Sequence, residues 1–477
     1  MQSLAKDTAI YGISSIVGKF LNYLLVPFYT YTLENTADYG IVTNLYAWTA
    51  LLLVILTYGT ETGLFRFVNK EGYNASTVYK TTFFTVLTTS VIFAVLCLIF
   101  QQPIANGLGY ADHSNFIAMM AATVAIDAFA SIPFAYLRYQ KRPIVFASLK
   151  LLFIVLNISF NLFFFLGLHK HDVTYVFISN ILATSIQTLI LLPFTLPKGG
   201  QYSWSTLKDI LRYSFPLLML GIAGIMNQTM DRILFPFLYT GPDAQAQLGI
   251  YGACFKVAMV MMMFTQAFRY AYEPFVFAKH KDRNSVEAYA DAMKYYIIFA
   301  LLILLGVIFY LDIFKYIIKS TYWEGLKIVP VVLWTYVFQG IFFNLSIWYK
   351  LTDETKWGAY LSLIGFVITL VIQLIGVPRI GYWACCGSSF VCFFVLMLLS
   401  YFMERKRLHI PYDLKSIGAY TALTLGLLAL YYGGDYFVQL LPQLWCTIAH
   451  YTLGTVLILI YIALFYHYDL KTLLKKQ

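Results

Sequence analysis

With 477 residues, 60% of them hydrophobic and 12% charged, and a mean hydropathy of +0.70, the chain cannot cover its own surface in water. A soluble domain carries about 25% charged residues. The net charge of +10 would suit an acidic partner, but no soluble segment interleaves basic and aromatic residues, so nucleic acid is excluded.

The apolar residues fall in runs of about 20 or more, the length that crosses a bilayer as a helix. In chain order the runs cover 8–32, 39–66, 80–101, 114–138, 145–168, 173–196, 208–237, 246–272, 291–311, 325–349, 357–377, 380–404, 414–434 and 446–466. Membrane strands would be about 10 residues long with strict alternation, and these runs have neither property. The predicted fold class is an all-α polytopic membrane protein with about 14 transmembrane helices. The first run is too long for a signal peptide and lacks a small-residue cleavage pattern, so it reads as a span.

The loops orient the helices. The N-terminus and every second loop carry roughly 23 Lys and Arg, among them Lys70, Lys80, Arg138, Lys141, Arg142, Lys208, Lys281 and Lys406. The opposite loops hold only Lys170, Lys315, Lys319, Lys327 and Arg379. Basic loops stay in the cytoplasm, which places both termini there, as an even helix count requires. Tyr and Trp near run ends, such as Tyr29, Trp48, Tyr110 and Trp323, read as interfacial anchors. Cys97, Cys254, Cys385, Cys386, Cys392 and Cys446 sit in apolar runs or at their edges and read as small buried hydrophobes.

One design is written twice. Val26-Pro27-Phe28-Tyr29 followed by Asp38-Tyr39-Gly40-Ile41 is echoed by Phe235-Pro236-Phe237-Leu238 followed by Gln247-Leu248-Gly249-Ile250, about 209 residues later. Internal repeats in a membrane chain predict two pseudo-symmetric bundles. The expected division is residues 1–200 (helices 1–6), 201–410 (helices 7–12) and 411–477 (an appended helix pair and cytoplasmic tail).

Charges inside spans are the functional candidates, because a charge at the bilayer centre costs several kcal/mol unless it meets a partner or a wet cavity. Lys19 lies in helix 1, Asp231 and Arg232 in helix 7, and Lys256 in helix 8. Arg269 and Glu273 end helix 8, Glu61 and Arg66 end helix 2, Asp127 lies in helix 4, and Lys150 starts helix 5. Lys19, Arg232, Lys256 and Arg269 outnumber the deep acids and suit a phosphate-bearing ligand. Asp231, Asp127, Glu61, Arg66 and Glu273 are candidates for coupling or gating, with helix packing as the alternative for each. Lys150 reads as interfacial. Asn22, Asn44, Asn157, Asn161 and Gln187 read as packing glue.

Several stretches together resemble a known family. They are Lys6-Asp7-Thr8-Ala9-Ile10-Tyr11-Gly12, the Pro27…Tyr39-Gly40 turn, Gly59-Thr60-Glu61-Thr62-Gly63-Leu64-Phe65-Arg66, Arg212-Tyr213-Ser214-Phe215-Pro216 and Tyr272-Glu273-Pro274-Phe275. The chain is similar over its whole length to the polysaccharide-transporter branch of the multidrug/oligosaccharidyl-lipid/polysaccharide exporter superfamily. The resemblance implies a flippase, not an enzyme, that moves a polyprenyl-pyrophosphate-linked oligosaccharide from the cytoplasmic to the outer leaflet of the bacterial inner membrane. The glycan would feed O-antigen, capsule or exopolysaccharide assembly, by alternating access around a cationic cavity. No cofactor is implied beyond a coupling ion, Na+ or H+; the partners would be the lipid-linked substrate, membrane lipids and a downstream glycan polymerase. A multidrug–cation antiporter and a lipid II flippase of the same superfamily are the alternatives. A glycan polymerase or ligase would want a larger catalytic outer loop, and there is no Gly-x-x-x-x-Gly-Lys loop for ATP.

Overall fold

The computed structural model describes residues 17–279 except 19 and 22, and 285–471 except 353, 355 and 439–441. Among them every regular element is helical. Twelve helices are long and apolar enough to span a membrane, thirteen if the pair Ala244–Val257 and Met259–Tyr272, bent by 50°, is one broken span. These thirteen coincide with the second to fourteenth apolar runs; the first run is described only from residue 17 onward, except 19 and 22, and its end forms α1 (Leu25–Thr32).

Local chemistry fixes where the helices start. Asn35 and Asp38 form a reciprocal cap, Asn35 Oδ1 accepting from the Asp38 N–H at 2.9 Å, and α2 (Thr36–Thr57) begins there. The second apolar run then breaks, which periodicity alone does not reveal. Tyr58 (φ 35°) and Gly59 (φ 71°) are left-handed, and α3 (Thr60–Val68) follows within the same span. Glycine tolerates that conformation, whereas Tyr58 is strained by it. Next come α4 (Ala75–Ile99), α5 (Gln101–Leu108), α6 (Ser114–Tyr139), α7 (Pro143–Leu162) and α8 (Thr174–Thr195). The long α9 (Trp204–Leu238) is capped by the Ser203 hydroxyl, and α10 (Ala244–Val257) and α11 (Met259–Lys279) follow.

The remaining spans are α12 (Ser285–Phe309), α14 (Val329–Leu345), α16 (Lys356–Ile380), α17 (Tyr382–Arg405), α18 (Leu414–Val438) and α19 (Gln443–Phe465), with short α13 (Leu311–Phe314) and α15 (Ile347–Leu351) between them. Ser285–Lys294 forms the first part of α12.

The chain packs as two compact units, residues 1–253 with 362–385, and residues 254–361 with 386–477. The first is built around α6, the most enclosed of the spans, which meets α2, α4, α7 and α8. Its core includes Leu64, Phe67, Tyr79, Phe83, Ile132 and Ile210. The second is built around α12, packed on α11, α14, α18 and α19. Large apolar side chains such as Ile144 (68% exposed) and Leu189 (66%) point outward, as lipid-facing residues do. These are packing units; the six-plus-six-plus-two division follows the repeat and remains a proposal.

Candidate functional site

In the first unit a chamber of about 360 Å³ is lined by Glu61, Asp127, Ser131, Arg138, Lys150 and Gln187 among apolar neighbours. The break at Tyr58–Gly59 puts Glu61 in the first turn of α3, where it pairs with Arg138 at the end of α6. Both side chains are about a third exposed, so the pair stands at an accessible mouth. Asp127 lies 11 residues before Arg138 on the same helix, about 16 Å deeper at 1.5 Å per residue. Pro133, between them, cannot donate to the preceding turn. The Ser131 hydroxyl donates to the Ala128 carbonyl at 2.7 Å beside it.

Asp127 accepts from the Thr184 hydroxyl of α8. Lys150 Nζ sits 4.0 Å from the centre of the Phe134 ring, and Arg138 lies over Phe65 at 5.1 Å. Gln187 donates to the Leu149 carbonyl at 2.8 Å. Two acids and two bases therefore line one chamber. Sequence reading misses half of it: by sequence Arg138 is a loop charge and Lys150 is interfacial, yet both line the chamber. Arg66, in the last turn of α3, lies 4.2 Å over the Tyr213 ring and is exposed.

A second polar group lies at the opposite end of the same unit. Asp231 is 6% exposed and accepts from the Tyr251 hydroxyl of α10 at 2.5 Å. Arg232 Nε is 3.9 Å from Asp231 Oδ2, so the two neighbours that a helix should splay apart remain close. Asn44 of α2 donates to the Arg232 backbone carbonyl at 2.6 Å, and its own Oδ1 accepts from Tyr110 at 2.8 Å. Tyr110 in turn accepts from Gln245 at 3.2 Å. Tyr110, expected as an interfacial anchor, is 4% exposed and belongs to this relay.

In the second unit Lys256 is partly buried in the last turn of α10, and Arg269 lies 4.9 Å over the Phe343 ring. Lys19 and the side chain of Glu273 lie outside the described residues. Among the described residues no three His, Cys, Asp or Glu are placed to hold a metal ion.

Among solved structures, the chain is similar to the lipid II flippase MurJ in its inward closed conformation, at 14% identity over 96% of this chain and 99% of that chain, with a TM-score of 0.75. An inward-facing multidrug resistance MATE family transporter matches at 14% identity over 85% of this chain and 96% of its own, TM-score 0.65. The MATE multidrug transporter DinF-BH matches at 18% identity over 84% and 96%, TM-score 0.59. At such identities the likeness is one of fold. No curated protein sequence matches. Residues 233–375 match the MatE family model. Residues 4–272, more than half of the chain, match the model described as "Polysaccharide biosynthesis protein", and the chain belongs to that family, within the multidrug/oligosaccharidyl-lipid/polysaccharide exporter superfamily of membrane flippases and transporters.

Proposed function

We propose that the protein flips a polyprenyl-pyrophosphate-linked oligosaccharide from the cytoplasmic to the outer leaflet of the bacterial inner membrane, for O-antigen, capsule or exopolysaccharide assembly. The observation that carries this reading is the polysaccharide-biosynthesis family match over residues 4–272. It is supported by the intramembrane cations, since pyrophosphate and sugar cannot enter hydrocarbon without donors that replace their water. Lys19, Arg232, Lys256 and Arg269 are the proposed pyrophosphate contacts. The chamber with Glu61 and Asp127 is the proposed coupling element, exchanging H+ or Na+. Its acids are matched by Arg138 and Lys150, so it is a poor place to hold a dianion. Asp231, Arg66 and Glu273 are further gating candidates. Both termini are proposed to be cytoplasmic, and a glycan polymerase to act downstream.

A second reading, lipid II as substrate, is favoured by the MurJ-like fold. Mass spectrometry of polyprenyl-linked lipids from cells depleted of the protein separates the two. Accumulation of one polyprenyl-pyrophosphate oligosaccharide supports the proposal, and accumulation of lipid II supports the alternative. An unchanged pool with new sensitivity to cationic dyes overturns both in favour of drug export.

A further inference from the structure

The relay from Gln245 through Tyr110 and Asn44 to the Arg232 carbonyl sits where two helices cross with unusual closeness. A Cβ added at Gly249 would lie 2.9 Å from the Gly40 nitrogen and would strike the Thr36 carbonyl; one added at Gly40 would lie 3.1 Å from the Gly249 nitrogen and would strike the Gln245 carbonyl. Gly40 and Gly249 are 209 residues apart, and so are Thr36 and Gln245. The next contact inward, Thr43 against Gly252, has the same separation. Each half of the crossing is thus the repeat-image of the other, and a local two-fold axis passes between the two glycines.

We infer that this crossing of α2 and α10 is the gate that shuts the face opposite the basic loops, and that Asn44 is the positioning residue that couples it to Arg232. The inference rests on the flippase reading above. In alternating access the repeats rock against each other, so a face is shut where repeat-equivalent helices meet, and this crossing must part for release. Glycines let the backbones meet closely, which makes the seal tight without interlocking side chains. The relay supplies the link. Asn44 is 2% exposed and spends its amide N–H on the peptide carbonyl of a proposed pyrophosphate contact, while its amide oxygen takes Tyr110 and, through it, Gln245 of α10. Displacing Arg232 as an anion binds moves the acceptor of Asn44. Buried polar networks respond as a unit, because each orphaned member costs free energy. Neutral Asn, Tyr and Gln make this a latch governed by ligand position.

The test is the double variant Thr43→Cys with Gly252→Cys, whose Cβ atoms would lie about 3.3 Å apart, close to the ~3.5–4.5 Å span of disulfides. Flipping is followed in phosphatidylethanolamine–phosphatidylglycerol proteoliposomes with a fluorescent polyprenyl pyrophosphate bearing one N-acetylhexosamine. Oxidation should cut the rate at least tenfold and reductant should restore it. Equal rates before and after reduction, with the cross-link verified, overturn the gate. A wild type that moves no probe counts against the flippase reading, and the gate is then judged without transport. For that, Thr43→Cys is labelled by a membrane-impermeant maleimide added to the face opposite the basic loops, with and without Asn44→Leu. A several-fold faster labelling in Asn44→Leu supports the coupling, and an unchanged rate overturns it.

Discussion

Alanine at Gly40 and at Gly249 should destabilise the protein singly but not cumulatively. At Gly40 the new methyl would lie 2.8 Å from the Gln245 carbonyl carbon and nearer still to its oxygen. Ordinary carbon–carbon contact begins near ~3.5 Å, so the helices must part by about 1 Å. Overpacking of that size costs about 1–3 kcal/mol. The same movement stretches the Gln245–Tyr110 bond, now 3.2 Å, past hydrogen-bonding range, adding about 0.5–1.5 kcal/mol. Helix propensity returns about 1 kcal/mol for each Gly→Ala change. Each single variant therefore loses about 1–3 kcal/mol. In the double variant one displacement relieves both clashes while the propensity gain counts twice, so it should be no less stable than either single. Such coupling between touching residues is the expected failure of additivity. Reversible unfolding in mixed micelles, followed through the eight tryptophans, measures all three variants. Losses that simply add would refute the shared, two-fold crossing, and so would singles of wild-type stability.

Three further outcomes are expected. Lys19→Ala and Arg232→Ala should each cripple glycan export while membrane insertion, judged by the amount of full-length protein in the membrane fraction, stays normal; normal export in the double variant removes the cationic-site proposal. Tyr251→Phe strips the buried Asp231 carboxylate of its 2.5 Å donor and should cost about 1–3 kcal/mol in the same unfolding assay. Glu61→Gln breaks the ion pair with Arg138, but both side chains are partly exposed, so stability should change by less than about 1 kcal/mol. If the chamber couples transport, the same variant loses the dependence of flipping on the ion gradient in proteoliposomes, and a gradient dependence like that of wild type assigns coupling elsewhere.

The spans are legible because hydrocarbon leaves a backbone only one economical solution, and that solution demands about 20 apolar residues in a row. The second to fourteenth runs each meet a described helix. What linear reading loses is three-dimensional. Tyr58 gives no warning of a positive φ, yet the break there sets where Glu61 points. The distance of Arg138 and Lys150 along the chain from a helix end says whether a side chain can snorkel, but not whether neighbouring helices enclose a hollow. Their partners come from α3, α6 and α8, separated by up to 126 residues (Glu61 to Gln187), and no local pattern encodes that. Asn44 and Tyr110 escape sequence reading for a related reason: amides and phenols serve equally as glue or anchors until their partners are known.

The repeat is the exception, where sequence and three-dimensional contact coincide. The 209-residue offset is visible in Pro27 with Pro236 and Gly40 with Gly249, before any geometry. The same offset relates Thr36 to Gln245 and Thr43 to Gly252, pairs that sequence does not single out but that the crossing brings together. A glycine needed only for a turn would show a positive φ, and neither Gly40 nor Gly249 does; both lie inside helices. Inside a helix glycine sacrifices about 1 kcal/mol relative to alanine. Carrying that cost at both equivalent positions is explained by what each faces, the backbone of the other repeat. The repeated glycine therefore reports a contact between the two halves rather than two independent turns, and it locates the crossing on which the gate inference stands.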